Sequence, residues 1–479
     1  MGGLPDINTE RPSFQKYFFN YINDCIACGA DGFRYDTAKH IGLTDDPKED
    51  DGFENNFWEK ATKKVDNAEN LFIYGEVLQG DNDRLADYIK EIGRTTSSTY
   101  GSKIRSGLAG GNIDTAVVSD YWIGSADPNI VTWVESHDNY INDGTYNNID
   151  SEQVILGWAI ITARKDGTPL FFDRPYNSTI DNYWGMNRIG TQGDDMYKDD
   201  RVSAVNFFRT AMKGEDENLV NPNLDSSALM IERGTKGAVI VNTNDALKVD
   251  FETNLADGTY VDRVDRKTEY TVKNGKITCE KDIPENSVVV LYNEGYTEYA
   301  RPACVGVDSK TEFTYSDDTY EVTLTCSNTD NATYSLDGAK TVSYKNGDKA
   351  TINHGDSDVS KLELRAENAE GVKTYERVEF TYKKEYVTKE GTKVYFTKPD
   401  SDDWDDEIYA YVYTDAGDEN ADWPGIEMKK EKDGTYSYTI ERDLNSPYII
   451  FNDGDASDSQ QYPEGQGLEV VPDKNYTVE

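Results

Sequence analysis

Cysteine is scarce. Five residues in a chain of 479 exclude a disulfide framework. The single C-x-x-C, Cys25 and Cys28, has no second pair after it and lies on a helical pattern, so buried core thiols are the expectation. Positive charge is short as well. Against 90 Asp and Glu stand 49 Lys and Arg, a net charge of −41. That balance excludes nucleic acid as a partner, because its phosphates would be repelled, and it excludes an anionic membrane surface. No apolar run is long enough to span a bilayer. No signal peptide is visible, although the chain reads as if its start were missing. Aromatic residues, by contrast, are plentiful, with 33 Tyr and 7 Trp. They fit either β-rich core packing or a stacking surface, and only their positions can separate the two.

The informative stretch is Gly29 to His40. Before it, Phe14, Tyr17, Phe18, Tyr21, Ile22, Cys25 and Ile26 recur at three- and four-residue spacing, which predicts a helix from Ser13 with one apolar stripe. Gly29 suits the left-handed position that ends a helix. Gly32 to Tyr35 is too short for a helix and reads as a buried strand. Arg34, Asp36 and Lys39 crowd its C-terminal end, where charge is costly unless paired or used. In a barrel of alternating strands and helices, catalytic groups sit at that end. A structural Arg34–Asp36 ion pair explains this one stretch equally well.

Two later runs repeat the pattern. Leu71-Phe72-Ile73-Tyr74-Gly75 ends in Glu76, and Ile130-Val131-Thr132-Trp133-Val134 leads to Glu135-Ser136-His137-Asp138. Parallel strands carrying acids at the same end can bring together residues that are far apart in sequence. Three such acids point to chemistry far more strongly than one.

GFRYDTAKH, YGEVLQG and VESHD resemble the second, third and fourth signature regions of the α-amylase family, glycoside hydrolase family 13. LPDIN, from Leu4, resembles the fifth. TWVESHD and GTPLFF are similar to the bacillar secreted members, and the likeness runs from about Leu4 to Asn293. The resemblance implies retaining endo-hydrolysis of α-1,4-glucosidic bonds in starch, with Asp36 as nucleophile, Glu76 as general acid/base and Asp138 as transition-state stabiliser. It implies that Arg34 orients and ionises Asp36, that His137 binds the sugar, and that Lys39 and His40 line the leaving-group side. It also implies a structural calcium, to which Asp6 would give a carboxylate oxygen and His40 its backbone carbonyl. Calcium takes six to eight oxygens, so this chain alone is expected to hold it weakly or not at all. A neutral glucan is indifferent to the acidic charge. The implied partners are starch and maltooligosaccharides, the implied location is extracellular, and the complete protein is expected to be a monomer.

Residues 1–215 therefore read as the second half of a (β/α)₈ TIM barrel. Strands are expected at 32–35, 71–76, 95–98, 131–136 and 170–172, and helices at 53–65, 83–92, 152–164 and 203–212. The first three strands and the first signature region are absent, so the sequence is expected to be a fragment. Residues 216–298 turn to apolar alternation with turn signals at Asp257-Gly258 and Asn274-Gly275, similar to the β-rich C-domain of the family. Residues 299–384 carry short strands at the spacing of an immunoglobulin-like sandwich and read as a spacer.

Residues 385–479 resemble a family 26 starch-binding module. Tyr409, Tyr411 and Tyr413 alternate on one face of a strand, and Trp423-Pro424-Gly425 follows on a turn. The resemblance makes Tyr409, Tyr411 and Trp423 a stacking platform, with Tyr413 open to a core role. Two other classes of function stay open. One is a non-catalytic starch-binding fragment, and the other is a transglycosylase of the same family.

Overall fold

The computed structural model describes residues 7–48, 52–78, 84–124, 128–185, 193–297, 301–308, 311–399, 404–454 and 460–478. The chain divides into two compact units. One holds Met1–Cys304 with Cys326–Asn331 and Ala366–Glu376, and the other holds Val305–Thr325, Ala332–Arg365 and Arg377–Glu479.

The first unit opens with helix and strand in alternation. Helices α1 (Pro12–Ala27), α2 (Phe57–Lys63), α3 (Leu85–Ile92), α4 (Ser98–Ala109), α5 (Thr115–Val118), α6 (His137–Asn142), α7 (Ser151–Ala163) and α8 (Asp200–Ala211) intervene among strands β1 (Gly32–Tyr35), β2 (Phe72–Gly75), β3 (Thr95–Thr96), β4 (Ile130–Trp133) and β5 (Thr168–Leu170). The strands form one parallel sheet in sequence order, β1-β2-β3-β4-β5. This is half of a (β/α)₈ barrel. Among the described residues nothing pairs with the outer edges of β1 and β5.

Those free edges account for two departures from the sequence reading. The β1 strand was expected to be buried, yet only Tyr35 of its four residues is. On α1, Ile22 is buried while Tyr17 and Tyr21 of the apolar stripe stand exposed. A strand beyond β1 would cover both, and the described residues supply none. The cysteine expectation is corrected for a similar reason. All five thiols are free, but Cys25 is only half-buried and Cys28, at the C-cap of α1, is exposed.

Local chemistry sets the other elements. Asp150 and Gln153 form a reciprocal capping box at the start of α7, a sequence-level signature of a helix N-terminus. From Val154 to Ala163 every residue of α7 is buried, because β4, β5, α4, α8 and the antiparallel sheet that follows all pack against it. Gly75 ends β2 where a Cβ would stand 2.7 Å from Ile92 and 2.8 Å from Ala38, too close for any side chain. That gap lets β2 approach the turn carrying Ala38, beside the candidate site.

Eight antiparallel strands follow, in two sheets ordered β13-β8-β7-β6 and β10-β11-β12-β9. Here β6 is Glu217–Val220, β7 Ala228–Arg233, β8 Gly237–Asn242, β9 Asp250–Glu252, β10 Gly258–Val261, β11 Glu269–Lys273, β12 Lys276–Thr278 and β13 Ser287–Tyr292. The expected alternation along β7 and β8 is a continuous buried run instead. Leu229, Ile231, Val239 and Val241 join the core of α7 and α8, while Ala228, Met230, Ala238 and Ile240 join that of the second sheet. A sheet covered on both faces has no reason to alternate.

Later strands form a three-stranded sheet (Cys304–Val307, Thr319–Ser327, Lys349–Asn353) and a five-stranded one (Thr314–Tyr315, Lys373–Tyr382, Val359–Glu367, Asn331–Leu336, Val342–Tyr344). In the C-terminal segment, Tyr409–Tyr413 pairs with Tyr448–Asn452, and Lys393–Thr397 pairs with Tyr436–Thr439 and Asn475–Thr477. The two faces enclose one apolar core.

Candidate active site

Arg34 and Asp36 lie two residues apart at the end of β1, so they share a face. Tyr74 and Glu76 do the same at the end of β2, and the parallel register sets Arg34 beside Tyr74. The Arg34 guanidinium bridges the two strands, 2.6 Å from Asp36 Oδ1 and 2.9 Å from Glu76 Oε1. Burial alone would weaken the charge on Arg34, but the hydrogen bond to Asp36 and the Glu76 carboxylate outweigh it and raise its pKa. Glu76 is buried, while Asp36 is open to solvent. The other Glu76 oxygen accepts the backbone N–H of Thr37 at 3.0 Å. Thr37 sits at φ 43° and ψ 39°, a left-handed conformation that is strained for a β-branched residue. It is held at the point where its amide meets the acid.

The third acid is positioned differently. The strand β4 stops at Trp133, and His137 and Asp138 open the short helix α6. Ser136 caps that helix by accepting from the Asn139 amide at 3.2 Å. The Asn139 side-chain oxygen accepts Trp133 Nε1–H at 2.9 Å, and Arg105 donates to the Val134 carbonyl at 2.8 Å. The end of β4 and the start of α6 are thus tied into one corner. Asp138 meets His137 Nε2 at 3.5 Å and Asn142 Nδ2 at 3.5 Å.

One cleft of about 690 Å³ brings these groups together. Arg34, Asp36, Glu76, His137 and Asp138 all line it. Lys39 and His40, expected on the leaving-group side, do not border it. Lys39 donates instead to the Leu78 carbonyl at 3.0 Å, which holds down the segment after Glu76. Asp6 lies outside the described residues. Among the described residues there is no group of three or more His, Cys, Asp and Glu able to hold a metal ion.

Sequence reasoning passed over the walls of the cleft: Tyr74, Trp133, Leu170, Phe171 and Phe172. Tyr74 was legible in principle, since it lies two residues before Glu76 on the same face. Glu135, inside the VESHD motif, is a neighbour of another kind. Its buried carboxylate takes two hydrogen bonds from Arg174, at 2.8 and 2.9 Å, and one from Thr145 at 2.6 Å.

A second arrangement lies on the strand Tyr409–Tyr413. Ala410 and Val412 point into the core, and the three tyrosines point the other way. Tyr413 is therefore not a core residue. It stacks on Tyr411 at 5.5 Å, and its hydroxyl accepts the Gly467 amide at 2.9 Å. Trp423, half-exposed, meets Tyr411 edge-on at 5.4 Å. Its turn depends on Gly425, at φ 95°, where a Cβ would be 2.3 Å from the Ala410 carbonyl oxygen. The Tyr409 ring lies against Gly454.

The first unit is thus an open half of a parallel α/β barrel that gathers carboxylates in one cleft, and all-β segments follow it in the sequence. Comparison with known proteins narrows this. Residues 1–105 match the α-amylase catalytic domain, and residues 394–466 match starch-binding module 26. An α-amylase of Butyrivibrio fibrisolvens is 38% identical over 95% of this chain and 49% of its own length. An α-amylase of Clostridium acetobutylicum is 36% identical over 61% of this chain and 36% of its own. Among solved structures, the α-amylase from H. orenii aligns at a TM-score of 0.44 with 16% identity, over 61% of this chain and 67% of that one. The chain is similar to α-amylases through its N-terminal segment and matches a starch-binding module of family 26 near its C-terminus. It spans about half the length of the Butyrivibrio relative and about a third of the Clostridium one.

Proposed function

We propose that this chain supplies the catalytic carboxylates and a starch-binding module of an α-amylase that hydrolyses internal α-1,4-glucosidic bonds with retention. The observation that carries the proposal is the convergence of Asp36, Glu76 and Asp138 on one cleft, with Arg34 joining the first two. Retention needs two carboxyl groups about 5 Å apart, one to attack and one to deliver a proton, and a shared guanidinium keeps two carboxylates close. Asp36, open to the cleft and paired with Arg34, is the nucleophile. Glu76 protonates the leaving oxygen, then takes a proton from water. For the first step the Arg34–Glu76 contact must give way as the sugar enters, so that the carboxyl group can reach the leaving oxygen. Asp138 faces the positive charge that develops on the sugar. His137 offers a hydrogen bond to a hydroxyl.

Starch is too large to enter a cell, so the proposed enzyme works outside it. Among the described residues no helix is long and apolar enough to cross a membrane. A structural calcium held by Asp6 and the His40 carbonyl is proposed only for a closed barrel, since two oxygens fall well short of a calcium shell.

Reducing-end release from amylose, with the product anomer followed by NMR, tests the proposal. A closed barrel is expected to release the α-anomer first. The 479-residue chain alone is expected to release nothing, because two open sheet edges leave the cleft without its other wall. Initial release of the β-anomer would refute the retaining assignment. Cyclic or branched products without hydrolysis would favour a transglycosylase.

Binding is a separate arm. In the segment 384–479, Trp423→Ala is expected to weaken maltoheptaose binding about thirtyfold, the effect of losing an anchor of about 2 kcal/mol. The ligand is neutral, so affinity should hardly change with salt. Titration calorimetry at two salt concentrations reads both effects. An unchanged affinity would remove Trp423 from the site.

A further inference from the structure

We infer that the first unit carries an accessory α-glucan stacking site, built from Tyr146, Tyr183 and Trp184, beside the active cleft and separate from the C-terminal module. The inference rests on the glucan reading above.

The rings are already assembled. Tyr146 and Tyr183 stack face to face, with centroids 4.4 Å apart and planes 12° from parallel. Trp184 adjoins Tyr183 at 5.2 Å and is 46% exposed. The buried Tyr140 fixes the group from below. Its hydroxyl donates to the Tyr183 carbonyl at 2.9 Å, and its ring packs 5.5 Å from Tyr146. The loop bearing the rings is braced by its own hydrogen bonds, from the Thr179 and Gly185 amides to the Asn182 carbonyl at 3.0 and 3.1 Å. A half-exposed indole on a braced loop, backed by two stacked phenols, has no core to serve.

The surroundings specify the ligand class. Tyr146 borders a second cavity of about 460 Å³, whose wall includes Asn147, Asn148, Ser151, Gln153 and Thr179. These are uncharged hydroxyls and amides; Asp150 also borders the cavity, its carboxylate capping α7 by accepting the Gln153 amide. Arg174 also reaches this wall, but its charge is spent on Glu135. Flat aromatic surface for the apolar face of a pyranose, next to neutral donors and acceptors for its hydroxyls, suits a neutral sugar and offers an anion nothing. Continuity identifies which sugar. Tyr140 packs on Phe172 at 5.5 Å, and Phe172 lines the cleft with Asn142 and Asp143. The two depressions thus back onto each other through the Tyr140–Phe172 contact, and in this reading one glucan chain reaches both. Two linked contacts on one chain raise apparent affinity without either being tight.

The test is affinity electrophoresis of the full 479-residue chain in gels with and without soluble starch. The Trp423→Ala background weakens the C-terminal module and so brings out binding elsewhere. That variant should keep a residual retardation. Adding Trp184→Ala should weaken the residual binding about tenfold, the equivalent of about 1.4 kcal/mol. Adding Trp184→Phe instead should retain most of it, because an aromatic face remains, and this control separates stacking from misfolding. Equal mobility of Trp423→Ala with and without Trp184→Ala would overturn the inference, as would no residual retardation in Trp423→Ala. If the unaltered chain is not retarded at all, the glucan reading falls first and takes this site with it.

Discussion

Replacing Asp36 by Asn or Glu76 by Gln in a closed barrel is expected to lower kcat on starch at least about a thousandfold, or about 4 kcal/mol in the barrier, while substrate affinity changes little. The two variants should fail for different reasons. Asp36 accepts Arg34 through Oδ1 alone and is otherwise open to the cleft. An amide can keep its oxygen toward the guanidinium and preserve the structure, so only nucleophilicity is lost. Glu76 accepts on both oxygens, from Arg34 and from the Thr37 amide. An amide must turn its NH₂ toward one of these donors, so Glu76→Gln should also lose some folding stability. The roles separate on an aryl glycoside whose leaving group needs no proton. Glu76→Gln should still form the glycosyl-enzyme with it, and Asp36→Asn should not. If Asp36→Asn loses less than about tenfold, or about 1.4 kcal/mol, the nucleophile lies elsewhere.

The three acids were legible because each follows a short apolar run, and a parallel sheet turns equal strand positions into spatial neighbours. Register pairs Tyr35 with Gly75, so residues 36 and 76 meet although 40 positions separate them. What could not be read was how each acid is held. The helix α6 begins at His137, so Asp138 stands on a helical turn rather than at a strand end. Nothing local distinguishes those cases, because the cap on Ser136 and the Trp133–Asn139 bond form only once β4 is in place.

The longest element that was missed was missed for a physical reason. The helix α4 contains Gly101 and Gly107, and glycine lowers helix propensity. The fold needs them there. A Cβ on Gly101 would stand 2.8 Å from the Trp133 carbonyl oxygen, and one on Gly107 would stand 2.6 Å from that of Asn112. Close packing thus erased the sequence signal that would have revealed the helix. The stripe on α1 misled in the opposite direction. Its period is sound, but burial needs a partner, and beyond β1 the described residues provide none. In the C-terminal module the strand 409–413 was decided by neighbours. Alternation put the three tyrosines on one face, and only the opposing core of Phe396, Ile449 and Phe451 determined which face was outside.

Glu135→Ala is expected to destabilise the half-barrel by about 3–5 kcal/mol, the usual cost of removing one member of a buried ion pair. Glu135 lies three residues before Asp138, inside the most recognisable motif of the chain, and would be an easy choice for a catalytic acid. Its surroundings argue otherwise. Its side chain is fully buried and that of Arg174 nearly so, and both its oxygens are occupied by Arg174 and Thr145. Three hydrogen bonds hold it in place, which marks its role as structural. Arg174 also donates to the Ile149 carbonyl at 2.8 Å, so the pair joins the end of β4, the segment before α7 and the segment after β5. Removing the carboxylate leaves a nearly buried guanidinium without its ion-pair partner. The double variant Glu135→Leu with Arg174→Met should recover most of the loss, because two apolar side chains of similar volume leave no unpaired charge. Urea unfolding read by tryptophan fluorescence measures the effect, with hydrogen exchange on peptides of β4 and α7 assigning the transition to the half-barrel. A Glu135→Ala midpoint equal to that of the unaltered chain would mean that water reaches Arg174. Glu135 would then return to the set of acids available for chemistry.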